Sequence, residues 1–225
     1  MLRYTLLSDG SSDQALLPIL DWLLRRNGVS CAIEGKWADL RYARLASRRL
    51  EDRIERALDL YPCDLLFIHR DAEKESYEAR KSEILAALSQ VQNLGSSSVC
   101  VIPVRMQEAW LLFDESAIRR AAGNPNGRQR LTMPRIGDLE GLPDPKNTLH
   151  MLLLEASGLQ GRRRRKFSAE SGSRRVVEFI EDFSTLLSLS AVAWLDEDVR
   201  VAVQSNRWSS SDFTPTQARP AEEPR

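Results

Sequence analysis

The chain has 225 residues, is 42% hydrophobic and 28% charged, and balances 32 Lys+Arg against 32 Asp+Glu. That length suits one domain, or one domain with an appendage, and it can bury a core without a disulfide or metal staple. Zero net charge excludes a uniformly basic nucleic-acid binder, so charge has to be followed segment by segment.

Arg3 to Ser8 is a short, mostly apolar run closed by Asp9-Gly10, which predicts a buried strand and a turn. Ser11 and Gln14 are spaced as a capping box, opening a helix that Asn27-Gly28 stops, with a kink or restart at Pro18. Val29 to Ile33 reads as a second strand. A helix follows within 41–61, with Leu50, Ile54, Ala57, Leu58 and Tyr61 on one stripe. Cys63 to Ile68 reads as a strand running into His69-Arg70-Asp71-Ala72-Glu73, then a charged helix to about Asn93, stopped by Gly95. Val99 to Val104 is another strand, and Gln107 to Ala122 a helix ended by Gly123. Residues 123–143 read as a long loop. Asp144 caps a helix with Pro145 at its first position and Gly158 at its end. Helical segments at about 173–189 and 191–204 follow, and a disordered tail is expected over 205–225.

The β-α-β-α rhythm predicts an α/β fold, a mainly parallel four-stranded sheet flanked by helices with a C-terminal helical extension. The expected division is a core at 1–123, a loop and helical extension packed on it at 124–204, and the tail. Cys31, Cys63 and Cys100 are odd in number, lack a C-x-x-C pair, and sit in short apolar runs. With only His69 and His150 beside them, a finger-type zinc site is excluded and a reducing compartment is implied. Met1 to Asp9 meets an acid too early for a signal-peptide core, and no apolar stretch approaches the ~18–20 residues of a membrane span. A soluble cytoplasmic protein without a membrane partner is expected.

Functional groups of open α/β folds gather beyond the carboxyl ends of the parallel strands. There the chain places Asp9 and Asp13 after the first strand, Asp71 and Glu73 after the third, and Glu108 after the fourth. Like charges ~4 Å apart repel by about 4 kcal/mol at an effective dielectric near 20, so such a cluster calls for protonation or a cation. Carboxylate-only ligands suit Mg²⁺ or Mn²⁺. The competing reading of each acid is a helix cap favoured by the dipole.

Leu7-Ser8-Asp9-Gly10-Ser11-Ser12-Asp13 resembles the Toprim opening "E-G-x-[ST]-[DE]", and Leu66 to Glu73 resembles the Toprim "D-x-D" strand end. Val104 to Asp114, with Glu108, Trp110, Leu111 and Leu112, resembles the "E-x-W-L-L-x-D" segment of a Toprim-like family of unknown function. Pro145-Lys146 is similar to the "P-K" helix of that family, so the resemblance spans roughly residues 3–205. It implies a Toprim-like fold, as in topoisomerases, primases and the overcoming-lysogenization-defect nucleases. It also implies Mg²⁺-dependent phosphodiester cleavage of nucleic acid, DNA ahead of RNA, and an ATPase partner in a bacterial defence or DNA-processing system. Residue by residue it makes Asp9 the general acid/base or a ligand, with Asp13, Asp71, Glu73 and Glu108 holding or orienting the ion. Asp9 stands where Glu is usual and Glu73 where a second Asp is usual, opposite changes of one methylene that can compensate around a shared ion. The alternative is a non-catalytic Toprim-fold interaction subunit that binds a partner protein.

Residues 160–175 carry Arg162, Arg163, Arg164, Arg165, Lys166, Arg174 and Arg175 against Glu170 alone, a charge of +6 that leaves −6 elsewhere. Such a loop can neutralise several phosphates by counterion release, or dock an acidic protein. Arg41, Arg44, Arg48, Arg49, Arg53 and Arg56 alternate with Glu51, Asp52 and Glu55 and read as helix-face ion pairs. His69 is read as a strand-end residue before a general base, His150 as structural, and Trp110 and Leu111 as core. No P-loop or dinucleotide glycine fingerprint is present, which leaves ATP hydrolysis and hydride transfer without support.

Overall fold

A computed structural model of the chain describes residues 1–43, 49–92 and 94–209. Four parallel strands, β1 (Leu2–Leu7), β2 (Ile33–Trp37), β3 (Leu65–His69) and β4 (Ser97–Val101), form one sheet in the order β2-β1-β3-β4. Tyr4 pairs with Gly35 on one side and Leu65 on the other, and Ile68 pairs with Cys100. The α/β class with helices flanking a parallel sheet, Rossmann-like in outline, is as expected.

The central strand β3 is buried on both faces because side chains alternate with period two and both of its sets are apolar, whereas the edge strand β2 is only half-buried. Leu2, Tyr4, Leu6, Leu65, Phe67, Val99 and Val101 face one core. It is shared with α1 (Leu17–Arg26) and, beyond residue 114, with α4 (Glu115–Ala121), α5 (Pro145–Ala156), α7 (Ala169–Val176) and α8 (Ser190–Ser205). Leu7, Leu66, Ile68 and Cys100 face the other, against α2 (Leu50–Leu60) and α3 (Tyr77–Gln90). The helical extension therefore completes the first core and does not form one of its own. Trp110 and Leu111 are buried in that same core.

Several boundaries differ from expectation. The second strand lies at Ile33–Trp37, because Gly28 takes φ 93° and the chain needs a further stretch to reach register with Leu2. The opening helix starts as a 3-10 turn at Ser11–Leu16 and restarts as α1, with Pro18 in the first turn, where a missing N–H costs nothing. The helix expected at Gln107–Ala122 is two pieces, a 3-10 turn at Gln107–Leu111 and α4. Between them Asp114 breaks the run and accepts the Ala117 N–H as an N-cap. The loop expected at 123–143 contains a 3-10 turn at Ile136–Gly141, and Asp144 caps α5 as expected. In place of a basic loop, 161–165 forms one helical turn, α6 (Gly161–Arg165), and a single helix over 173–189 is replaced by α7 and short 3-10 turns. The tail starts later than Ser205, since Trp208 is buried against the core; residues 210–225 lie outside the described residues, as do Arg44, Arg48 and Asn93. The described cysteines are free thiols, and among the described residues no helix is long and apolar enough to cross a membrane.

Candidate functional site

The carboxyl ends of β1 and β3 and the segment after β4 meet at one edge of the sheet. Asp9, Asp13, His69, Asp71 and Glu73 line a cavity of about 330 Å³ there. His69, the last residue of β3, is 3% exposed, and its Nδ1 lies 3.0 Å from the Val101 carbonyl. A carbonyl can only accept, so Nδ1 carries the hydrogen and Nε2 faces the acids. Nε2 lies 3.9 Å from Asp13 Oδ2 and 3.6 Å from Asp71 Oδ1, so one imidazole nitrogen stands between two carboxylates that are distant in sequence.

Asp13 is 7% exposed and its carboxylate is held firmly. Oδ2 accepts the Gly10 N–H at 3.0 Å, and Oδ1 accepts from the Ser12 hydroxyl at 3.1 Å and from Gln107 Nε2 at 2.6 Å. Gln107, 4% exposed, also donates its backbone N–H to Asp71 Oδ1 at 3.1 Å. One residue thus binds both acids, its side chain to the first and its backbone to the second. Sequence reasoning passed over Gln107 because a glutamine opening a helical turn carries no chemical signature of its own.

Burial raises the Asp71 carboxyl from its ordinary 3.8 to about 6, against the pull of His69 and helped by the charges of Glu108 and Asp13. Desolvation leads because the carboxyl sits in the cavity wall, and the neighbouring acids add the like-charge repulsion expected of such a cluster.

The other candidates are placed differently. Asp9 turns outward, its side chain 57% exposed, and is clamped by Arg53 and by Arg70 Nε at 3.3 Å. Arg53 also donates to the Ser8 carbonyl at 2.7 Å, fixing the turn. Glu73 is exposed with φ 55°, the left-handed region, because β3 ends at His69 and the chain is turning. Strand alternation therefore does not relate it to Asp71. Its N–H still bonds the Arg105 carbonyl at 3.2 Å, continuing the pairing with the chain after β4. Glu108 is buried but lines a second, neighbouring cavity together with Gln107, Lys146 and Arg174. The five acids therefore do not form one shell, and among the described residues no three His, Cys, Asp or Glu side chains are gathered as a metal-holding group.

Of the basic residues, Arg162, Arg163, Arg165 and Lys166 on and just after α6 are exposed and make no ion pair among the described residues, and Arg164 reaches the Leu154 carbonyl at 3.4 Å. Arg174 pairs with Glu170 at 2.8 Å, and Arg175 lies 3.9 Å from Glu178 and over the Phe179 ring. In the described part of the other basic run, Arg53 serves Asp9 and Arg49 pairs with Glu51. Comparison with family models, with curated proteins and with solved structures finds no match for this chain.

Proposed function

We propose that this chain is a Mg²⁺- or Mn²⁺-dependent phosphodiester-cleaving protein acting on nucleic acid, DNA ahead of RNA. The observation that carries it is the meeting of Asp13, His69 and Asp71 at the carboxyl edge of a parallel sheet, around a cavity of about 330 Å³. The resemblance of the motifs around these residues to Toprim proteins points the same way. The donor chemistry fits the ion: the acids offer oxygen alone, and the Asp71 carboxyl is raised by burial first and by Glu108 and Asp13 after it, a cost that a bound cation would relieve. Mg²⁺ is commonly held by one or two carboxylates with waters and phosphate oxygens, and Asp13 with Asp71 supplies two.

In this reading Asp71 and Asp13 hold the ion, and Asp13 takes the place that the motif order assigns to Asp9. When bound, the ion polarises a phosphoryl oxygen and lowers the pKa of its water. Gln107 keeps the two carboxylates in register. His69, anchored through Nδ1, presents Nε2 where a proton can be exchanged with Asp71. Exposed Arg162, Arg163, Arg165 and Lys166 grip backbone phosphates, and an ATPase partner rests on the resemblance alone.

A second reading, a non-catalytic subunit that docks a partner protein, is favoured by the double clamp on Asp9, which ties up the first acid of the motif. Incubation with supercoiled DNA, linear DNA and RNA, in Mg²⁺ or Mn²⁺ and in EDTA, separates the two. Metal-dependent cleavage lost in the Asp13→Ala/Asp71→Ala double variant supports the first. Cleavage that survives the double variant removes the site assignment, and no cleavage of any substrate, alone or with a cognate ATPase, favours the second.

A further inference from the structure

Beyond the Asp13–Gln107 hydrogen bond lies the second cavity, about 240 Å³, floored by the 10–15 segment and the turn at Gln107–Leu111. Its far wall comes from α5 and α7, so it exists only because the helical extension packs on the core. Four polar side chains facing it make no hydrogen bond or ion pair among the described residues: Ser11, Glu108, Lys146 and His150. Glu108 is the telling one. It is 8% exposed, has no donor among the described residues and lines this cavity. Lys146 and His150 are four residues apart on α5 and share a face, while Arg174 lines the cavity from α7 together with Glu170, its ion-pair partner at 2.8 Å, which a phosphate would have to displace. Leu111 adds an apolar surface.

These groups ask for a ligand with an anionic end, a hydrogen-bond donor and a small apolar face. We propose that the cavity binds a nucleotide through its terminal phosphate, with Lys146 and Arg174 on the phosphate and Glu108 accepting from a sugar hydroxyl or base amine. Choosing a nucleotide among phosphate esters rests on the nuclease reading above. The volume lies just below the about 300 Å³ at which small-molecule sites usually begin, which suits the end of a nucleotide and excludes a duplex. Gly10 and Ser12 line both cavities, so a strand whose end is seated here continues past Asp13 and Asp71. The acid site then works a short, fixed distance from a strand end.

The test is binding in EDTA, which removes cleavage from the readout. Fluorescence anisotropy compares one single-stranded oligonucleotide carrying a 5′-phosphate, a 3′-phosphate or neither, with AMP and inorganic phosphate as competitors. One terminal phosphate should tighten binding by about tenfold, as charge-assisted contacts to two cations would. Lys146→Ala should abolish that preference while leaving the far-UV circular dichroism unchanged. Competition by AMP as strong as by the phosphorylated strand identifies a free nucleotide as the ligand, and weaker competition identifies a strand end. Equal binding of all three oligonucleotides with no competition by AMP overturns the inference, as does a phosphate preference that Lys146→Ala leaves intact. Phosphate-dependent binding in a chain that cuts nothing would keep this inference and discard the nuclease reading.

Discussion

Gln107 donates its side-chain N–H to Asp13 Oδ1 at 2.6 Å, joining the turn after β4 to the turn after β1, and its backbone N–H holds Asp71. Both acids therefore depend on a neutral residue for their relative position. Gln107→Ala leaves Asp13 buried without its strongest donor, and hydrogen bonds to charged groups contribute about 1.5–3 kcal/mol. We expect a loss of about that size, read as a lower urea midpoint at unchanged slope. An unchanged midpoint would mean that Asp13 finds another donor.

Stability should depend on pH through Asp71. Its folded value, about 6, lies above its ordinary 3.8, so the folded chain holds this proton more tightly than the unfolded chain does. That contribution is fully present below about pH 4 and is lost as pH rises through about 6, on the order of 3 kcal/mol in all. Asp71→Asn should flatten the decline between those limits. Equal pH profiles for the two proteins in urea titrations would refute the assignment.

Asp9 and Asp13 should separate by substitution. Asp9 is an exposed partner of two arginines, and exposed pairs contribute about 0–1 kcal/mol, so Asp9→Asn should barely move the melting temperature. If cleavage is found, Asp9→Asn should retain most of it and Asp13→Asn should lose about a hundredfold or more, the usual worth of a positioned acid–base or ligand group. The reverse order in initial rates would return the first role to Asp9.

Gly35 should be irreplaceable even by alanine. It pairs with Tyr4 across the sheet, and a β-carbon there would lie 2.3 Å from the Tyr4 hydroxyl oxygen and from the ring carbon that bears it. Tyr4 cannot yield easily, because its hydroxyl donates to the Leu17 carbonyl at 3.1 Å and its ring packs edge-on against Phe67. Gly35→Ala should cost about 1–3 kcal/mol by overpacking, measurable by thermal melting. A neutral result would show that the edge strand shifts freely.

The buried strands β1 and β3 were legible in the residues because a short, mostly apolar run closed by a turn or by charged residues is a local pattern. The same holds for Asp144-Pro145 as a helix start and Gly158, with φ 63°, as a helix end. The second strand was misplaced because Val29–Ile33 is the more apolar and β-branched stretch, while Ile33–Trp37 carries Glu34, Gly35 and Lys36, and only pairing with Leu2–Leu6 selects the later one. Helix 107–122 was read as one piece because its apolar spacing is continuous, whereas Asp114 prefers to cap.

For the site, local pattern was enough to name the acids and the strand ends that carry them, since strand-to-turn junctions are written in short-range residue preferences. Which acids meet is a long-range matter. Asp13 and Asp71 converge on His69 because parallel pairing of β1 with β3 aligns their ends, while Arg53 and Arg70 draw Asp9 away and the turn after β4 swings Glu108 into the next cavity. The balanced charge divides in the same way. The residues alone locate the +6 stretch at 160–175, but only the packing of α7 on the core puts one of its cations, Arg174, on the same cavity as Glu108, because the meeting of distant segments depends on how whole elements pack and not on the preferences of either segment.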